Sequence, residues 1–109
     1  MLLRYGDAQS ITLTEDVLSA YKVGQVAEAW PMLGTSPSQK LIAELLKAGK
    51  PVKVWLDNDL PPTHKVNRGQ VAAVKVLKTL RSMGLQCENI VSLKDPKLMT
   101  YEQIKEILK

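Results

Sequence analysis

The chain has 109 residues, the size of one domain, and its 45% hydrophobic and 24% charged residues are the balance of a globular protein and exclude a disordered one. No apolar run approaches the roughly 18 residues a membrane helix needs, and Met1–Leu3 is too short an apolar start for a secretory signal. A net charge of +4 permits a polyanionic partner without demanding one, and the lone Cys87 cannot form an internal disulfide, so a reducing cytoplasm is the expected setting.

The first ten residues fit no alternation. Leu2-Leu3-Arg4 is expected either to pair with Ile11–Thr14 as a hairpin around Gly6-Asp7 or to form a mobile end. Ile11–Thr14 reads as a strand, apolar and β-branched. Asp16–Val23 then carries Val17, Leu18 and Tyr21 as one face of a short helix, and Val26–Trp30 reads as a second strand. Ser36 with Pro37 and Gln39 has the form of a capped helix start, with Leu41, Ile42, Leu45 and Leu46 as the apolar stripe.

Val52–Leu56 is the clearest strand, and a Pro-rich polar loop follows it from Leu60 to Asn67. Gly69–Met83 is the longest helix, with Ala73, Val74, Leu77 and Leu80 inward. Cys87–Leu93 is a fourth strand. Thr100–Leu108 is a last helix with a Thr100…Gln103 capping box and Ile104, Ile107 and Leu108 as its apolar side. Gly24, Gly49 and Gly84 each follow a helix, where a left-handed residue is expected. Strands that alternate with helices predict an α/β fold: a mostly parallel four-stranded sheet with helices on both faces, built as a single domain over 1–109.

In such a sheet, ligands bind beyond the carboxyl ends of the strands. Glu15 follows the first strand, Asp57 and Asp59 follow the third, and Asp95 follows the fourth. Alternation lets Asp57 and Asp59 point the same way. Paired carboxylates repel unless a cation lies between them, and oxygen-only ligands suit Mg²⁺ or Mn²⁺. The bland alternative is a solvated Asp-Asn-Asp turn.

Lys65, Arg68, Lys75 and Lys78 gather after the Asp pair, and on a helix the last three share one side. They form either a solvated helix face or a surface for nucleic-acid phosphates. His64, the only histidine, reads as an exposed loop residue, Cys87 as a buried inert thiol, and Trp30 and Trp55 as core.

Taken together these segments resemble a Toprim domain of the kind found in phage and bacterial DNA primases. Thr14–Ala20 looks like its glutamate motif, Leu33–Ser36 like the segment after its second strand, and Val54–Asp59 like its metal-binding motif. Gly69–Ala73 looks like the helix that follows, and Lys94-Asp95-Pro96 like its late acidic motif. The match spans about residues 11–98.

The resemblance implies a Rossmann-like Toprim fold and Mg²⁺-dependent nucleotidyl transfer in DNA replication. Glu15 would be the acid/base or an extra metal ligand, Asp57 and Asp59 would hold the Mg²⁺, and Asp95 would help at a second metal position. The implied partners are a single-stranded DNA template, nucleoside triphosphates and a zinc-ribbon or helicase protein. Ser19 and Lys97 stand where many primases carry acids. Two other functions fit the same residues: a Mg²⁺-dependent nuclease, and a non-catalytic nucleic-acid or replisome-binding module.

Overall fold

The computed structural model describes residues 5–6, 8–33, 37–56, 68–92 and 95–108, with the backbone alone for 68–70. Four strands, β1 (Ile11–Thr14), β2 (Glu28–Pro31), β3 (Val52–Trp55) and β4 (Cys87–Asn89), form one sheet in the order β2-β1-β3-β4. Every neighbouring pair is parallel. The connections are the helices α1 (Val17–Val23), α2 (Gln39–Ala48) and α3 (Arg68–Ser82). A 3₁₀ turn, Pro96–Leu98, and α4 (Tyr101–Leu108) close the chain.

Alternation along the strands divides the interior in two. Ile11, Leu13, Trp30, Val52 and Val54 face α2 and α3 and pack with Leu41, Leu45, Ala73, Val76, Leu77 and Leu80. On the other face Ala29 and Trp55 pack with Ala20 and Val23 of α1 and Ile104 of α4. The expected sheet with helices on both faces is therefore present, and Trp30 and Trp55 are core residues, 1% and 0% exposed.

Among the described residues of the N-terminal segment, none pairs with β1. Tyr5 instead forms an antiparallel bridge to Ala29 of β2, and Leu2–Arg4 lie outside the described residues. The cause is topological: β1 is already bonded along both edges, to β2 and to β3. Only the outer edge of β2 was available on that side of the sheet.

This crossing explains two glycines. Gly6 has φ +76°, and a Cβ there would lie 1.8 Å from the Ala27 carbonyl oxygen. Gly24, expected to be left-handed, is right-handed at φ −63°. What it lacks is room, since a Cβ would come within 2.3 Å of Tyr5 Cβ. Gly49 and Gly84 are left-handed as expected, at φ +65° and +87°.

Three helices differ from their sequence patterns. In α1 the buried residues are Ser19, Ala20 and Val23, while Leu18 and Tyr21 are 68% and 55% exposed. Seven residues are too few for periodicity to set the phase, and small side chains bring α1 close to the sheet. The α2 start is one turn-fragment later than expected: Ser38 is the N-cap, its Oγ accepting from Leu41 N–H at 3.1 Å, and Ser36 lies outside the described residues. In α3 the stripe is Ala73, Val76, Leu77 and Leu80, at helical spacing. Val74, one residue off that stripe, is 47% exposed.

The Thr100…Gln103 capping box is present in both directions. Thr100 Oγ1 accepts from Gln103 N–H at 3.2 Å and Gln103 Oε1 accepts from Thr100 N–H at 3.0 Å. Strand β4 ends at Asn89 rather than Leu93. Ile90 N–H makes the last ladder bond, to Val54 O. Ser92 then turns to accept from Trp55 Nε1 at 2.9 Å.

Candidate functional site

The strand order sets where a site can be. From β1 the chain first moves outward to β2, then returns past β1 to β3 and continues to β4. The winding reverses between β1 and β3, and in doubly wound sheets the crevice outside the carboxyl ends at that reversal is the ligand position. The register aligns Thr14 with Trp55. Glu15 and Leu56, the residues that follow these two strands, leave the sheet at the same edge.

At this edge Thr14, fully buried, donates its hydroxyl to Asp16 O at 3.0 Å. Asp16 caps α1: its Oδ1 accepts from Ser19 N–H at 2.8 Å. Its other oxygen, Oδ2, accepts from Lys97 Nζ at 2.7 Å. Burial works against the Asp16 charge, but the Lys97 ammonium and the Ser19 amide outweigh it and hold the carboxyl below its ordinary pKa. Lys97 Nζ is also 3.8 Å from Asp95 Oδ2. The segment after β4 thus passes Trp55 and lays its 3₁₀ turn against α1, bringing two late residues to the end of the first strand.

Of the residues singled out from sequence, Glu15 lies half-buried just past β1, and Asp95 lies half-buried at the head of the 3₁₀ turn. Asp57, Asp59, His64 and Lys65 lie outside the described residues. Arg68 opens α3, and Lys75 and Lys78 are exposed on that helix. No acid occurs anywhere in α3, whose outward face carries Val71, Val74, Lys75, Lys78 and Arg81. Cys87 is partly buried, its thiol 3.7 Å from Leu77 O.

Asp16 and Lys97 are the residues that sequence reasoning passed over as site members. The available signal was the Thr-Glu-Asp run, which places an N-cap acid beside Glu15. Nothing local indicated that residue 97 would meet it.

The donor chemistry at the β1 end, a carboxylate at Glu15, fits a hard divalent cation. At the Asp95 corner the Lys97 ammonium stands 2.7 Å from the Asp16 carboxylate and 3.8 Å from that of Asp95. Among the described residues no three His, Cys, Asp or Glu side chains converge as a metal-holding group. Two open depressions of about 280 and 330 Å³ lie at the opposite, amino edge of the sheet, lined by residues such as Pro51 and Gln86. Among the described residues no helix is long and apolar enough to cross a membrane.

No protein-family model matches the chain, and a search of curated proteins finds no significant match.

Proposed function

We propose that this chain is the metal-dependent phosphoryl-transfer part of a primase-type protein of the Toprim class, working on single-stranded DNA and nucleoside triphosphates in the cytoplasm. One observation carries the reading. The reversal of winding lies between β1 and β3, and the strands there deliver Glu15 and the chain leading into Asp57 and Asp59 to one edge.

In this reading Glu15, Asp57 and Asp59 hold Mg²⁺ or Mn²⁺. The bound ion supplies charge neutralisation for phosphate oxygens. Glu15 also takes the proton of the attacking 3′-hydroxyl. Lys65, Arg68, Lys75 and Lys78 hold the nucleic-acid backbone, a role consistent with the acid-free outward face of α3. A zinc-ribbon or helicase partner supplies template recognition.

The Lys97 contacts favour a second reading. A site whose late acid is matched by a lysine is also what a nucleic-acid-binding module without turnover would carry.

Primer synthesis and strand cleavage, measured with Mg²⁺ and a zinc-ribbon partner supplied, separate the two. Asp57→Asn keeps the side chain's shape and removes its charge. Loss of activity with folding and DNA binding retained supports the catalytic reading, with cleavage in place of synthesis marking a nuclease. An unmutated chain that is inactive with its partner, and unaltered in binding by Asp57→Asn, is a binding module.

A further inference from the structure

Three charged side chains from two distant parts of the chain meet at the carboxyl edge. Lys97 Nζ lies 2.7 Å from Asp16 Oδ2 and 3.8 Å from Asp95 Oδ2. All three are partly buried, with side-chain exposures of 29% for Lys97, 38% for Asp16 and 26% for Asp95. The second Asp16 oxygen is occupied by the Ser19 amide.

The turn that presents the lysine is itself fixed. Leu98 N–H bonds to Asp95 O at 2.9 Å, Met99 N–H bonds to Pro96 O at 3.1 Å, and Pro96 and Met99 are buried. An ammonium is a compact point charge with three donors, and this turn holds the root of its stem beside α1.

We infer that Lys97 is the resident cation of this corner, so that Asp16 and Asp95 take no divalent metal ion. The inference rests on the metal-dependent reading above only in limiting where a metal sits. Mg²⁺ needs carboxylate oxygens at about 2.0–2.1 Å, and of the Asp16 oxygens one is bonded to the ammonium at 2.7 Å and the other to the Ser19 amide, while Asp95 Oδ2 has the same ammonium 3.8 Å away. A divalent ion inserted there would stand within about 4 Å of the Lys97 positive charge, a repulsion that persists in a partly buried site. Asp16 and Asp95 therefore add nothing to the metal capacity of the edge. Lys97 acts as a positioning residue that holds the late turn on α1 and neutralises its acids.

The test counts Mn²⁺ ions per chain by electron paramagnetic resonance, with folding followed by circular dichroism. The set is the unmutated chain, Asp16→Asn, Lys97→Arg, Lys97→Met and the Lys97→Met/Asp16→Asn pair. Asn caps helices as well as Asp, so Asp16→Asn keeps the fold. The expected result is the same count for the unmutated chain, Asp16→Asn and Lys97→Arg. Lys97→Met gains about one ion per chain, and the double variant loses it again.

A lower count in Asp16→Asn overturns the inference, because Asp16 would then be a ligand. So does a folded Lys97→Met with an unchanged count. If Lys97→Met does not fold, the Asp16→Asn comparison decides alone. An unmutated chain that binds no Mn²⁺ sinks the metal-dependent reading, while a gain in Lys97→Met under that same condition still upholds this one.

Discussion

Lys50 Nζ lies 2.6 Å from Glu28 Oε1, joining the turn before β3 to the start of the edge strand β2. Glu28 is 7% exposed and also accepts from Trp30 Nε1 at 3.0 Å and from Ala8 N–H at 3.3 Å. This carboxylate stands at the amino edge, away from the candidate site, and its work is structural. Burial penalises its charge, but Lys50, Trp30 and the Ala8 amide outweigh that and hold its pKa below the ordinary glutamate value of 4.5.

A depressed folded-state pKa adds stability above the unfolded pKa, and that stability disappears as pH falls through the folded value. Glu28→Gln is expected to cost about 1–3 kcal/mol at neutral pH, because donors arranged for a charge lose it. As pH falls through and below the ordinary glutamate value of 4.5, the unmutated protein should lose more stability than the variant. Urea unfolding midpoints of both proteins across that range check the sign. Parallel pH curves for the two would show that Glu28 is not the group responsible.

Glycine substitutions separate conformational strain from steric conflict. Gly49 and Gly6 both have positive φ, but a Cβ at Gly49 meets nothing within 4 Å, whereas one at Gly6 meets backbone. Gly49→Ala should cost about 1 kcal/mol, the strain of a left-handed alanine. Gly6→Ala should cost more, because the Tyr5–Ala29 bridge must shift as well. Melting temperatures rank the two, and equal losses would place the N-terminal crossing elsewhere.

The alternation of elements was legible because each strand is a short apolar run and each long helix carries a 3.6-residue stripe. Thr100 and Gln103 announced the α4 start through a purely local hydrogen-bond pattern. The Tyr5–Ala29 bridge was not legible, since it depends on which sheet edge stays open after β1 has been bonded twice. The phase of α1 was hidden because seven residues carry too little periodicity, and because Ala20 and Val23 pack with Trp55, Met99 and Ile104 as well as with nearby Ala29, partners that lie far along the chain. For the same reason Glu15 was readable as a strand-end acid, while the Asp16–Lys97 pair, separated by 81 residues, required the fold.

The crossing after β4 gives a third expectation. Trp55 Nε1 donates to Ser92 Oγ in a buried pair that anchors the segment leading to Lys97. Ser92→Ala leaves the indole N–H unsatisfied and should cost about 1–3 kcal/mol. Trp55→Phe removes the donor and some core volume together. In a double-mutant cycle the second loss should be smaller in the Ser92→Ala background, by about 0.5–1.5 kcal/mol. Additive losses would show that the bond contributes nothing to holding the crossing.

The outward face of α3 yields the last expectation. Lys75 and Lys78 are exposed, the helix contains no acid, and the exposed valines Val71 and Val74 lie beside them. If these lysines meet phosphates of a single strand, each contact releases condensed counterions, and log affinity falls with log salt by about 0.7 per phosphate neutralised. Lys75→Gln/Lys78→Gln should then lower the salt slope by about 1.4 and weaken binding most at low salt. Stability should hardly change, because both side chains are solvent-exposed. Fluorescence anisotropy of a labelled oligo-dT across a salt series measures slope and affinity together. A weaker affinity with an unchanged slope would mean that the two lysines act through something other than phosphate contact. Unchanged affinity at low salt would mean that the face is merely solvated and that the strand, if it binds, lies elsewhere.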